Sequence, residues 1–280
     1  SYINVGGHFV HPSNAIDKIV FSTEQEAVTP SIWIGNTEVN AQGDFVPSGL
    51  QVAIEGASFD KDNNVLTLSI INVEEPITSS LPNLTIKLAG DLNRLPTIIS
   101  ADPSATLTFV KDANTEGPSL LLQSTASSVI SGFSSVTLGD GLYYESSSLL
   151  EYSTNARKFI NPIDNSDITK LTISTNETYP LWIAGTQVTS ENASNVLADK
   201  YASVSYTNNT LTLKACQNDT RNLDYFVTKG DAEALTFHFI GYNNVGTGTK
   251  KFIYAKNACT VTFTTDNTVS GLLKYIGTDL

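Results

Sequence analysis

The sequence predicts an all-β chain, a parallel β-helix or β-solenoid built from two diverged units. Three observations carry this: period-two alternation of apolar and polar residues, the absence of any amphipathic run of ten or more residues at helical spacing, and phrases that recur in order at a near-constant offset. A pair of β-sandwiches, one per unit, is the alternative fold, because alternation is the same for parallel and antiparallel strands.

The alternation is clear in Leu84-Thr-Ile-Lys-Leu88, where Leu84, Ile86 and Leu88 share one face and Thr85 and Lys87 the other. Leu235, Phe237 and Phe239 repeat it against Thr236 and His238. A strand with one face buried has this period. Turn formers separate the phrases: Asp62-Asn63-Asn64, Asn208-Asn209 and Gly139-Asp140-Gly141.

The recurrence pairs Ser31-Ile-Trp-Ile-Gly-Asn-Thr-Glu-Val39 with Pro180-Leu-Trp-Ile-Ala-Gly-Thr-Gln-Val188, so both tryptophans, Trp33 and Trp182, hold one place. Ser58 to Leu68 matches Ser205 to Leu213, Leu84 to Gly90 matches Leu235 to Gly241, Thr106 to Phe109 matches Thr260 to Phe263, and Ile16 to Ser22 matches Ile168 to Ser174. All offsets lie between 145 and 154. The segmentation is therefore an N-terminal segment over 1–15, a first unit over 16–167 and a second over 168–280. The second reads as truncated, since nothing answers Val129 to Leu142. Within a unit the Leu-Thr phrases recur at 11 to 26 residues, close to one coil of a parallel β-helix, whose face is buried only by its neighbour. That favours the solenoid. At matched places in two strands, Trp33 and Trp182 read as core anchors.

Charge narrows the partners. A net charge of −12 with three arginines (Arg94, Arg157 and Arg221) disfavours phosphate backbones and anionic membrane surfaces. Charged residues make up 16% of the chain, and Ser, Thr and Asn fill the polar positions, which suits an extracytoplasmic β surface. No apolar run reaches membrane-spanning length. The absence of Met fits processing, with any leader or lipid anchor removed. Cys216 and Cys259 read as two small packed side chains in preference to one disulfide.

The phrases Trp182-Ile-Ala-Gly-Thr-Gln-Val-Thr-Ser190, Asn209-Thr-Leu-Thr-Leu213 and Leu84-Thr-Ile-Lys-Leu-Ala-Gly-Asp91 resemble a group of secreted, repeat-built bacterial surface proteins of the gut Bacteroides type. The resemblance covers both units. It implies a right-handed parallel β-helix, a surface or secreted location, and adhesin-like or polysaccharide-binding roles toward a glycan or host protein. It also implies calcium held by acidic loops, but this chain has no repeated acidic loop.

Candidate sites are few. Asp60, Asp62 and Asn64 have the alternate oxygen spacing of half a calcium loop but lack its Gly and distal Glu, so a plain turn is preferred and no cofactor is expected. His8 and His11 lack a third ligand nearby. The carboxylates of Glu74, Glu75, Asp44, Asp140 and Glu145 offer no distinguishable pair for glycoside hydrolysis, and no nucleophile elbow occurs. No catalytic residue is assigned. Tyr143, Tyr144 and Tyr201 are the candidate sugar-stacking residues. A binding protein is expected, with a polysaccharide lyase or hydrolase, and then a structural spacer, as alternatives.

Overall fold

The computed structural model describes residues 3–5, 8–10, 31–218, 225–230, 234–246, 251–266 and 272–276. The phrase Ile16 to Ser22 and His11 lie outside them, as does the side chain of His8. Residues 1–30 form one compact unit, in which β1 (Ile3–Val5) and β2 (His8–Val10) pair antiparallel. Residues 31–280 form the other. No helix occurs among the described residues, and the strands stack as a parallel β-solenoid of about six turns.

The first stack opens on two hairpins, β3 (Ile32–Ile34) with β4 (Thr37–Glu38) and β5 (Ala57–Asp60) with β6 (Val65–Leu68). Three coils follow: β7 (Ile77–Ser79), β8 (Asn83–Leu88) and β9 (Asn93–Leu95); β10 (Ile98–Ser100), β11 (Thr106–Lys111) and β12 (Ser119–Gln123); β13 (Ile130–Ser131), β14 (Ser135–Leu138) and β15 (Tyr143–Glu145). Each coil places one strand on each of three sheets. The ladders β7-β10-β13, β6-β8-β11-β14 and β9-β12 are parallel throughout, which excludes the sandwich alternative. Then come β16 (Glu151–Ser153), β17 (Lys158–Ile160) and β18 (Lys170–Ser174), of which β17 and β18 run against the coil strands and β16 pairs antiparallel with β17. β17 runs antiparallel to β13, and β18 inserts antiparallel between β12 and β15.

The second stack repeats the plan. Hairpins β19 (Thr178–Ile183) with β20 (Thr186–Thr189) and β21 (Val204–Thr207) with β22 (Thr210–Lys214) come first, then β23 (Gln217–Asn218). Two coils follow, β24 (Tyr225–Lys229), β25 (Leu235–Ile240) and β26 (Tyr242–Gly246), then β27 (Lys251–Ala255), β28 (Val261–Thr265) and β29 (Leu272–Ile276). Pairing matches strand for strand: β3 meets β7 antiparallel as β19 meets β24, and β6 meets β8 parallel as β22 meets β25. Trp33 lies opposite Glu38 and Thr78, and Trp182 opposite Gln187 and Thr228.

In-register stacking builds the cores. Ile34, Ile77, Ile98 and Ile130 form one inward ladder, all fully buried, and Leu66, Ile86 and Phe109 form another. Fully burying one such side chain stabilises by about 1.5–3 kcal/mol. In the second stack Leu211, Phe237 and Phe263 align, with the two phenylalanine rings stacked at 5.4 Å. Phe263, on the last coil, is 56% exposed. The two stacks have separate apolar cores, and Leu171 and Ile173 of β18 belong to the first.

One polar device recurs inside both stacks. Asn93, fully buried, accepts from Ile71 N–H and donates to the carbonyls of Gly90 and Ser119. Asn243, also fully buried, accepts from Cys216 N–H and donates to the carbonyls of Ile240 and Gly241. At this bend the backbone leaves the ladder, and the amide satisfies groups that would otherwise be orphaned.

The expectation that both tryptophans are core anchors holds for the burial of Trp182 and is corrected for Trp33. Each sits on the strand face opposite its buried neighbours, Ile32 and Ile34 or Leu181 and Ile183, and neither belongs to an apolar core. Trp182 is nonetheless buried because Ser146 of the first stack covers it, accepting its indole N–H. Trp33 is half-buried. Cys216 is buried at the place of Ile71 in the first stack, and Cys259 is half-buried.

Candidate functional site

The residues singled out in the sequence fall in separate places. Tyr143 and Tyr144 are consecutive on β15 and so face opposite ways. Tyr144 packs edge-on against Phe159 at 5.2 Å beside the first core, and its hydroxyl is buried without a hydrogen-bond partner. Burial, reinforced by Tyr152, pushes that hydroxyl well above the ordinary tyrosine range, so it stays neutral. Tyr201 stands in the loop between β20 and β21, 74% exposed, with the Lys200 ammonium 5.5 Å from its ring centre. Asp199 anchors this loop by accepting from Tyr201 N–H and Ser203 N–H. Burial raises the Asp199 carboxyl, but bonds from Ser203 and Tyr201 outweigh it and leave the group below its ordinary value.

Asp60, Asp62 and Asn64 form a turn. Asp60 accepts from Asp62 N–H at 3.0 Å, from Asn63 N–H at 3.3 Å and from the Asn63 side chain at 2.8 Å. Asn64 donates to the Asn83 side chain. Among the described residues no cluster of three or more His, Cys, Asp or Glu is arranged to hold a metal. His238 bonds Thr264 at 3.1 Å on the outer face of the second stack.

A concave site lies elsewhere, at a corner of the second stack. The cleft has a volume of about 410 Å³, within the range of small-ligand pockets. Tyr179 from β19 and Tyr206 from β21 line it, with Asn209, Lys229 and Leu235, and Glu177 at the rim. The tyrosine ring centres are 5.1 Å apart and the rings tilt by 59°. Both rings are half-buried against the second core, which fixes their orientation while leaving one side open.

Local sequence explains the geometry. Asn208 and Asn209 both have positive φ, 47° and 58°, so β21 and β22 join through a two-residue turn of the type whose twist suits a hairpin. The first stack has a longer turn here, Lys61 to Asn64. The tight turn brings Asn209 under Tyr206, whose hydroxyl donates to the Asn209 side-chain oxygen at 2.8 Å. The side-chain amide N–H groups of Asn209 then have no partner among the described residues.

A second cleft of about 190 Å³ lies where the stacks meet, lined by Glu145, Ser146, Lys170 and Gln187. Burial, and then the Glu191 carboxylate, raise Glu145 above its ordinary value, while Lys170 opposes them. This is a structural seam: Ser146 N–H donates to Gln187 and its carbonyl accepts from Trp182.

Sequence reasoning missed Tyr179, Tyr206, Asn209 and Lys229. Superposing the two copies residue by residue would have flagged them: Phe59, Ser79 and Asn83 of the first become Tyr206, Lys229 and Ala234 in the second. Comparison of the chain with protein-family models, with curated proteins and with solved structures finds no match.

Proposed function

We propose that this chain is an extracellular or cell-surface binding protein whose second stack presents a saccharide cleft between Tyr179 and Tyr206. The carrying observation is the pair of tilted, half-buried rings bordering a cleft of about 410 Å³ beside the unpaired Asn209 amide. Aromatic faces cover the C–H side of a sugar ring, and amide donors meet its hydroxyls. The low charge, the Ser, Thr and Asn surface and the solenoid scaffold support the same reading, since a rigid stack holds its loops in fixed register.

The test is a glycan array probed with the full chain, followed by calorimetry on the strongest binder. Tyr206→Ala is expected to weaken binding at least tenfold and Tyr179→Ala to do likewise, with thermal melts confirming that both variants fold. Binding unchanged in both variants overturns the assignment of the cleft. Release of reducing ends from the bound glycan overturns the binding reading in favour of a degrading enzyme.

A further inference from the structure

The two stacks differ at the corner that holds the cleft. In the first, three polar side chains described there have partners within the protein. Ser79, fully buried, accepts from Leu81 N–H at 3.1 Å; Ser80 accepts from Ser31 N–H at 2.9 Å; Asn64 donates to Asn83. In the second, Lys229 stands where Ser79 stood and Ala234 where Asn83 stood. The substitutions add a cation and remove the acceptor that would have satisfied Asn209.

Lys229 is placed by its strand. It lies opposite Leu181, on the same side of β24 as the buried Val227, so its side chain enters the corner instead of the outer surface. It is only 6% exposed and lines the cleft. No hydrogen bond or ion pair to its ammonium exists among the described residues, although three surface ion pairs form elsewhere. Asp231 and Glu233 lie outside the described residues. Lysine is almost never so buried unless its charge is matched. The chain carries −12 overall, so this inward cation runs against the general field of the molecule.

We propose that the cleft takes a carboxylate-bearing saccharide, the Lys229 ammonium meeting the carboxylate, the Tyr179 and Tyr206 rings meeting the sugar faces and the Asn209 amide donating to an oxygen. This rests on the reading of the cleft as a saccharide site and narrows it to uronate-type sugars. One cation matches one negative charge. A dianionic phosphate would leave charge unmatched beside the Glu177 carboxylate at the rim.

The experiment uses the full chain with three probes: a homo-oligogalacturonate, its fully methyl-esterified form and a neutral oligogalactan of equal length, each titrated by calorimetry. The free acid is expected to bind at least tenfold more tightly than the ester, and Lys229→Met to abolish that ratio while retaining residual binding. Equal affinity for acid and ester in the wild-type chain overturns the carboxylate assignment and leaves the saccharide cleft standing. A retained preference in a folded Lys229→Met variant overturns the role of Lys229. Loss of all saccharide binding in the wild-type chain overturns both readings. The acid-to-ester ratio is read on the wild-type chain, so it stands even if the variant misfolds.

Discussion

Ser146 and Trp182 meet across the seam of the two stacks: the indole N–H donates to the Ser146 carbonyl at 2.9 Å, while the Ser146 N–H donates to the Gln187 side chain at 2.8 Å. One peptide on each side of a single residue is thus held by the opening hairpin of the next stack. Removing one partner leaves a buried polar group unpaired, which costs about 1–3 kcal/mol. Trp182→Phe keeps the ring and loses the donor, so it is expected to lower stability by roughly that amount in urea denaturation. The equivalent Trp33→Phe, at a half-buried site, is expected to cost less. Equal costs at the two sites would refute the seam role.

The buried asparagines are expected to be among the sensitive polar positions. Asn93→Leu and Asn243→Leu each keep the branched outline of the side chain, in a larger volume, and remove three hydrogen bonds, orphaning the N–H of Ile71 or Cys216. Each is expected to lose about 2–3 kcal/mol, measured by chemical denaturation. The exposed Asn114→Leu serves as the control. A loss under about 0.5 kcal/mol, the usual span of surface changes, would show that the bend does not need the amide.

Gly132 offers a backbone test. Its φ is +88°, and a Cβ placed there would lie 2.3 Å from the Ser100 carbonyl oxygen on the neighbouring coil. Gly132→Ala must therefore push β10 and the chain at Gly132 apart, as well as strain φ. A fall of several degrees in melting temperature is the expected result. Gly117→Ala, also at positive φ but in open space, separates strain from collision and is expected to cost less.

Glu145 gives a pH signature. Its carboxyl is raised above the ordinary value of 4.5, by burial first and the Glu191 charge second. The folded chain therefore holds this proton more tightly than the unfolded chain does. Stability falls as pH rises from about 4.5 through the folded-state value, since the unfolded chain ionises freely and the folded one against its surroundings. Glu145→Gln is expected to raise the melting temperature at pH 7 and to match the wild type at pH 3.5. A difference that is the same at both values would exclude this titration.

Much of the fold was legible because strand phrases repeat. The identical placement of Trp33 and Trp182 in two hairpins followed from nine-residue phrases that share spacing, turn and pattern. The direction of neighbouring strands was not legible, since Leu171 and Ile173 alternate the same way whether β18 runs with its neighbours or against them. Trp33 misled for a related reason: it shares the pattern of Trp182 but stays half-buried, whereas Trp182 is buried and donates to the Ser146 carbonyl. The cleft was hidden because its groups are 50 residues apart in sequence, from Tyr179 to Lys229, and meet only at a corner. Lys229 in isolation looks like an ordinary polar strand residue, and its inward aim comes from register with Leu181.

The reversal of β18 between β12 and β15 changes how disorder travels. In an uninterrupted parallel array each coil is stabilised by its immediate neighbours, so fraying at one end propagates rung by rung. The counter-running strand and the separate apolar interiors place a firebreak between the two arrays, so loss of order in one need not pass rung by rung into the other.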